Sequence, residues 1–229
     1  MRVGVVIPAF NAGRELPKVV RRAAAVVGPE KVIVVDDGST DGSVRPDALP
    51  GVCVIVHPEN RGKGEALKSG FREAIGRSLD AVVTLDADGQ HDPERIADLV
   101  KEAEASSADI VVGSRMKNVG RMPWIRRFTN RTTSFLVSRL AGQSVEDSQS
   151  GFRLIRVRVL EALDLKTSRY DTESEMLIQA GRKGFRIGSL PIASIYRNET
   201  SRIRPWADTW RFIRLFFRSL RGSGSGSGR

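Results

Sequence analysis

Apolar residues in the first half of this chain fall into short unbroken runs: Gly4-Val5-Val6-Ile7-Pro8, Val32-Ile33-Val34-Val35, Val52-Cys53-Val54-Ile55-Val56, Ala81-Val82-Val83-Thr84-Leu85 and Ile110-Val111-Val112-Gly113. Uninterrupted runs of this length, rich in Val and Ile, predict strands covered on both faces, as in a parallel sheet between helices. They place strands at residues 3–8, 32–36, 52–57, 81–86 and 110–113. Segments 15–27, 65–77 and 94–105 lie between or beside them and are helical in pattern. The last carries a start signal, with Asp92 as N-cap, Pro93 at the first helical position and Glu94 in the first turn. Strand and helix alternate over roughly the first 115 residues, which predicts an α/β fold with a mostly parallel sheet and helices on both faces.

The polar clusters follow the strands. Phe10-Asn11, Asp36-Asp37, Asn60-Arg61-Gly62-Lys63, Asp86-Ala87-Asp88 and Ser114-Arg115 each come just after an apolar run. In an open α/β sheet that puts them all on the carboxyl edge, where ligands bind. Asp86-Ala87-Asp88-Gly89-Gln90 is the most telling of them. Asp-x-Asp alone also occurs in solvated turns, but two carboxylates on a buried strand end, with an amide two residues on, suit a hard divalent cation. Mg²⁺ takes one or two protein carboxylates and fills its other positions with water and substrate phosphates.

Two familiar phosphate motifs are excluded. Gly62-Lys63-Gly64 lacks both the earlier glycine and the Ser/Thr after lysine of a P-loop, and Leu67 stands at the third glycine of a dinucleotide fingerprint. It still opens a helix after a strand, where backbone N–H groups favour an anion; a plain helix-entry loop is the competing reading. The acids of Asp36-Asp37-Gly38-Ser39-Thr40 do not suit phosphate and would accept hydrogen bonds from a base N–H or a ribose hydroxyl.

Composition narrows the setting. The chain has 229 residues, 40% hydrophobic and 28% charged, enough for one sizeable core. The single cysteine, Cys53, excludes an internal disulfide and reads as a core residue in a reducing compartment. No apolar run approaches the roughly 18 residues of a membrane span, and the opening run is too short for a signal peptide. The expected setting is cytoplasmic, peripheral on the cytoplasmic face of a membrane. The net charge of +10 comes from arginines that concentrate from Arg121 onward. A solvated face, a nucleic-acid surface and an anionic-lipid surface all fit that pattern.

In segment 206–221, Trp206, Trp210, Ile213, Phe217 and Leu220 form one helical stripe, and Arg211, Arg214, Arg218 and Arg221 a second beside it. A basic aromatic helix of this kind lies in a membrane interface, or else packs on the domain or a dimer partner. The Gly/Ser repeat of 222–229 reads as a flexible tail.

The succession IPAFN (7–11), VVDDGSTDGS (34–43), NRGKGEAL (60–67), TLDADGQHDPE (84–94) and VVGSR (111–115) resembles an inverting family 2 glycosyltransferase of the A-type, Rossmann-like fold. The later pieces DSQSGFR (147–153), YDTESEML (170–177) and YRNETSR (196–202) make it similar to dolichol-phosphate mannosyltransferase and its bacterial polyprenyl-phosphate relatives. The resemblance spans roughly residues 3–215. It implies that Pro8, Phe10, Asp36 and Asp37 bind the nucleoside, with Lys63, Ala87, Arg115 and Arg197 also in the nucleotide-sugar site. Asp86, Asp88 and Gln90 would hold Mg²⁺ or Mn²⁺ and the diphosphate. Arg126, Asn130, Arg131, Ser150 and Arg202 would meet the acceptor, and Asp88, Arg115, Arg126 and Arg202 would carry catalysis. Phe10 and Ala12 depart from the usual Tyr and Glu, which leaves the base and sugar open, and Asn130 replaces a usual Ser.

The implied reaction moves a hexose (mannose or glucose) from GDP-mannose or UDP-glucose to a polyprenyl phosphate. A hydroxyl acceptor would want a general base, for which Asp147, Asp171 and Glu173 are the candidates. A phosphate monoester, largely dianionic at neutral pH, would not. Transfer to a soluble or polysaccharide hydroxyl is the alternative, and a basic nucleic-acid-binding protein the alternative outside enzymes. The carboxylate cluster argues against nucleic acid as a partner. His57 and His91 read as structural. The expected organisation is a nucleotide-sugar half (1–118), an acceptor half of the same domain (119–205), the interfacial helix and the tail, with a homodimer possible.

Overall fold

The computed structural model describes residues 1–116 and 124–193. Among these, seven strands form one sheet: β1 (Val3–Ala9), β2 (Val32–Asp36), β3 (Cys53–Val56), β4 (Ala81–Thr84), β5 (Ile110–Ser114), β6 (Arg153–Arg156) and β7 (Ile187–Pro191). Their order is β3-β2-β1-β4-β6-β5-β7. The helices are α1 (Leu16–Val27), α2 (Lys63–Gly76), α3 (Ile96–Ala105), α4 (Trp124–Ala141), α5 (Val157–Ala162) and α6 (Asp171–Arg182).

The five expected strands and three expected helices are present, with ends shifted by one or two residues. The expected strand 81–86 stops at Thr84, so Asp86 belongs to the loop rather than the ladder. The helix expected at 94–105 opens as a tight 3₁₀ turn, Pro93–Arg95, capped by Asp92, before α3 proper begins.

One strand breaks the parallel pattern. β6 runs antiparallel to both β4 and β5, with Thr84 opposite Arg153 and Val112 also opposite Arg153. The other strand pairs are all parallel. Because β6 is reversed, the loop before it (residues 147–152) lies on the same edge as the carboxyl ends of β1, β2, β4 and β5. A strand from beyond residue 118 thus sits inside the sheet, between β4 and β5.

Apolar residues pack on both faces. Leu16, Val19, Val20, Ile96 and Leu99 of α1 and α3 cover one face with Val5, Ile7 and Val83. On the other, Ala66, Leu67, Phe71, Val137, Leu140 and Leu177 pack on Val6, Ile33, Val82 and Ile155. α4 crosses α6 closely: a Cβ at Gly181 would come within 2.7 Å of the Ala141 side chain.

Candidate active site

Cross-ties fix the loops of the carboxyl edge. Asn11, held in a left-handed conformation at φ 49°, donates its N–H to Ser39 Oγ (3.0 Å) and accepts from the Thr40 N–H (2.8 Å). Phe10 next to it is 40% exposed, while Pro8 beneath is buried in β1. Asp36 is buried, and its Oδ1 accepts the Ser39 N–H at 2.9 Å.

Asp37 faces inward. Its Oδ1 meets His57 Nδ1 (2.7 Å) and the Arg61 N–H (3.0 Å), and its Oδ2 accepts the Gly62 N–H (2.8 Å). His57 Nε2 continues the chain to Ser69 Oγ on α2 at 3.0 Å. The anion at the entry of α2 is therefore the protein's own Asp37 carboxylate. His57 is a strut, in keeping with its structural reading.

The Asp-x-Asp motif meets the loop from the reversed strand. Thr84 Oγ1 donates to the Gly151 carbonyl at 2.7 Å, and a Cβ at Gly151 would lie 2.8 Å from the Asp86 Cγ. Only glycine leaves room there for the Asp86 carboxylate. Asp86 Oδ1 is 2.6 Å from Lys63 Nζ, which also reaches Glu173 Oε2 at 3.2 Å. Burial pulls the Lys63 ammonium pKa down, but Asp86 and Glu173 outweigh it and the net shift is upward. For Asp86, burial raises the pKa, and Lys63, then His91 and Arg115, bring it below the ordinary carboxylate value.

Asp88 Oδ1 accepts the Gln90 N–H at 2.9 Å, folding the motif into a tight turn. No group of three or more His, Cys, Asp or Glu that could hold a metal ion occurs among the described residues. The donor set of Asp86, Asp88 and Gln90 is all oxygen, and the Gly151 cradle keeps the Asp86 carboxylate at this edge. Such a set fits a hard divalent cation that takes the rest of its shell from a diphosphate and water. His91 stacks on Phe152, with centroids 5.4 Å apart, and its Nδ1 is buried without a hydrogen-bond partner. Burial is the main cause that lowers its pKa to about 4, so the imidazole is neutral near pH 7.

Arg115 and Asp147 form a buried fork. Arg115 Nε and Nη2 donate to Asp147 Oδ2 and Oδ1 at 2.9 and 3.0 Å, and the Arg115 N–H adds a third bond at 3.1 Å. Asp147 is fully buried; burial raises its pKa, and the bonds from Arg115 more than reverse this. Arg153 corrects the picture of a continuous basic surface. It is 1% exposed and donates to the carbonyls of Ser150 (2.7 Å), Ser148 (2.8 Å) and Glu173 (2.8 Å), stitching the 147–152 loop to α6. The apolar company of Arg153 in Phe152-Arg153-Leu154-Ile155 was the available signal that this arginine is internal.

Of the expected acceptor residues, Asn130 is buried on the inner side of α4, Arg131 is exposed on its outer side, and Ser150 is fully buried in the turn before β6. Ser134 ties α4 to that turn by accepting the Ser148 N–H at 2.9 Å. On the outer side Trp124, Phe128 and Phe135 are 77%, 68% and 63% exposed, with Arg127, Arg131 and Arg139 exposed beside them. Arg197, Arg202, the 206–221 segment and the Arg126 side chain lie outside the described residues.

Residues 4–164 match the family described as Glycosyl transferase family 2. The UDP-N-acetylglucosamine–dolichyl-phosphate N-acetylglucosaminyltransferase of Methanococcus voltae is 34% identical over 84% of this chain and 85% of its own. The undecaprenyl-phosphate mannosyltransferase of Micrococcus luteus is 33% identical over 86% of this chain and 85% of its own. In fold, the chain is similar to the crystal structure of glucosyl-3-phosphoglycerate synthase from Mycobacterium tuberculosis in complex with Mn²⁺, UDP and glucosyl-3-phosphoglycerate. That match has a TM-score of 0.69 at 24% identity and covers 95% of this chain and 78% of the other.

Proposed function

This chain belongs to glycosyl transferase family 2, and we propose that it transfers a sugar from a nucleoside-diphosphate sugar to a polyprenyl phosphate held at a membrane surface. The single observation that carries the acceptor class is the state of the carboxylates that a hydroxyl acceptor would need as a base. Two of the three candidate bases are engaged: Asp147 is buried under the Arg115 fork and Glu173 faces Lys63, while Asp171, in the first turn of α6, keeps a buried Oδ1 without a hydrogen-bond partner. A phosphate monoester brings its own ionised oxygen and requires none of them.

The donor would lie along the carboxyl edge. Phe10 and the Asp36 loop frame the nucleoside, and Asp88 and Gln90, with Asp86 behind them, would hold Mg²⁺ or Mn²⁺. A divalent cation bound there supplies charge neutralisation for the departing diphosphate. Attack by the acceptor oxygen on the anomeric carbon, with the nucleoside diphosphate leaving from the opposite face, inverts that centre and balances without an added proton. The neutral His91 adds no charge beside the diphosphate. Mannose, glucose and N-acetylglucosamine are the donor sugars to compare, the last because the Methanococcus voltae relative is named for it.

The outer side of α4 supports a membrane-borne acceptor. Exposed aromatic rings flanked by arginines suit an anionic bilayer surface, and no helix among the described residues is long and apolar enough to cross a membrane. The test is direct. The purified chain, with Mg²⁺ or Mn²⁺, is given each nucleotide sugar with undecaprenyl or dolichyl phosphate in vesicles, and separately with soluble hydroxyl acceptors. A glycosyl phospholipid detected by mass spectrometry is the expected product. Transfer to the hydroxyl acceptors alone would replace the proposal with the polysaccharide-type reading.

A further inference from the structure

The loop between α5 and α6 is anchored from the inside. Glu175, in the second turn of α6, is 7% exposed and turns its carboxylate back onto that loop. Its Oε2 accepts the N–H groups of Lys166 and Thr167 at 3.0 and 2.9 Å and the Thr167 hydroxyl at 2.7 Å. Gln179 Nε2 donates to its Oε1 at 3.1 Å, and the Thr167 hydroxyl also lies 2.9 Å from Thr172 Oγ1. Held this way, the backbone of Ser168 lies directly on the entry of α2. The Glu65 N–H donates to the Ser168 carbonyl at 3.2 Å. A Cβ at Gly62 or at Gly64 would lie 2.6 Å from the Ser168 carbonyl oxygen or carbon, respectively. The two glycines that flank Lys63 therefore make room for a neighbouring loop.

What the loop delivers is Tyr170. Its ring is 46% exposed, with the Lys63 ammonium 6.0 Å from the centroid, and that ammonium is 2.6 Å from Asp86 Oδ1. An open aromatic ring thus stands at the donor edge, beside the motif proposed to hold the diphosphate. Its chemistry selects the occupant. The face of a phenol ring is the negative side of its quadrupole and disfavours an anion such as the acceptor phosphate. Lys63 does not reverse that, because its charge is committed to Asp86 and Glu173. A hexose presents the opposite surface, weakly positive C–H groups on one side of its ring, and in the donor it is bonded directly to the diphosphate.

We propose that Tyr170 is a specificity-determining residue on which the donor hexose stacks, and that Glu175 is a positioning residue that holds it there through Thr167. The inference rests on the proposed donor site and names the part of it that reads the sugar. Because the loop is already tied down, little ordering entropy is lost when the sugar arrives.

The experiment is calorimetry on the full chain with Mn²⁺ and no acceptor, comparing UDP with UDP-glucose and UDP-N-acetylglucosamine, and GDP with GDP-mannose. The difference between each nucleotide and its nucleotide sugar isolates the hexose. In Tyr170→Leu, the nucleotide sugar that the parent binds should bind about tenfold more weakly, with its nucleoside diphosphate within about twofold of the parent value. Tyr170→Phe keeps the ring and should hold the sugar affinity to within about threefold. Thr167→Val should show the same split at about threefold, and Thr167→Ser, which keeps the hydroxyl, should restore it. A merely structural loss would weaken nucleotide and nucleotide sugar together, and that result in Tyr170→Leu would overturn the proposal. Unchanged nucleotide-sugar affinity in either Tyr170→Leu or Thr167→Val would overturn it as well. A raised KM for vesicle-borne polyprenyl phosphate in place of the donor effect would assign the ring to the acceptor and overturn it too. If the parent chain binds neither UDP nor GDP nor their sugars, the donor site fails first and the proposal falls with it, a result distinct from the others.

Discussion

The donor edge and the outer side of α4 solve opposite problems with similar residues. At the donor edge charges are buried and paired: Asp37 against His57 and two backbone N–H groups, Asp86 against Lys63, Asp147 against Arg115. On α4 the arginines and large aromatic rings face outward, with Trp124 at 77% and Phe128 at 68% exposure. The lesson is that net charge says little by itself. Arg115 and Arg153 are internal and hold loops in shape, whereas Arg127 and Arg131 are exposed on the outer side of α4. Pre-organised charge of the first kind favours a reaction with developing negative charge, and outward charge of the second kind favours an anionic surface.

The strongest way to break the contrast is at Asp88. Asp88→Asn keeps the shape of the turn and removes one negative charge from the donor edge. Turnover should fall by three orders of magnitude or more, about 4 kcal/mol of transition-state stabilisation, with the thermal unfolding midpoint little changed. Near-parent turnover in the presence of EDTA would remove the metal from the donor site.

Asp147→Asn tests whether the buried fork is structural. Asp147 is fully buried, and losing its charge leaves the Arg115 guanidinium buried without a matching anion. A cost of about 3 kcal/mol in unfolding free energy is expected, at the low end for a broken buried pair because the amide still accepts one bond. Denaturant titration measures it; a variant as stable as the parent would show that the fork contributes nothing to the fold.

Much of this region was legible beforehand because local pattern and local structure agree there. The apolar runs around Val5, Val34 and Val83 gave strands, and the acids after them fell on one edge as a parallel sheet requires. What the pattern did not give is long-range pairing. β6 has only four residues and inserts antiparallel between β4 and β5, so its place depends on contacts distant in sequence. The same is true of the partners: that Asp37 would turn inward to the Gly62 loop, that Lys63 would bridge to Glu173, and that Gly151 would make room for Asp86 are tertiary facts with no local signature. Trp124, Phe128 and Phe135 share one side of a helix at a spacing of four and seven, a pattern that equally suits a core, and only the fold decides which side is out.

Acid should find a weak point at the donor edge before it reaches the carboxylates. His91 has its pKa lowered to about 4 in the folded chain, against about 6.5 when unfolded. The unfolded chain therefore binds a proton that the folded chain refuses, and stability present above pH 6.5 is lost as pH falls toward 4, by about 1.4 kcal/mol for each pH unit. The lowered pKa values of Asp86 and Asp147 act in a separate window, since their stabilisation is present above about pH 4 and is lost only below it. Unfolding free energies at pH 7, 5.5 and 4.5 should fall for the parent and stay nearly level for His91→Gln. Parallel slopes would mean that another group carries the acid sensitivity.

The smallest expected change in stability comes from the other region, and that is what makes it informative. Trp124, Phe128 and Phe135 lie mostly outside the packed interior, so replacing all three with serine should alter the unfolding free energy by no more than about 0.5 kcal/mol at each site. If the outer side of α4 docks on a bilayer, the same triple variant should lose binding to phosphatidylglycerol-containing vesicles in a flotation assay. Replacing Arg127 and Arg131 with glutamine should weaken binding by about 1 kcal/mol per charge, and the loss should shrink as salt is raised. A face that instead packs against the chain's own 206–221 segment or a second copy gives a different pattern: the serine variant would lose stability or change its sedimentation behaviour, and vesicle binding by the parent would be absent. The contrast between the two regions survives only if the aromatic residues can be removed without cost to the fold and with loss of the membrane.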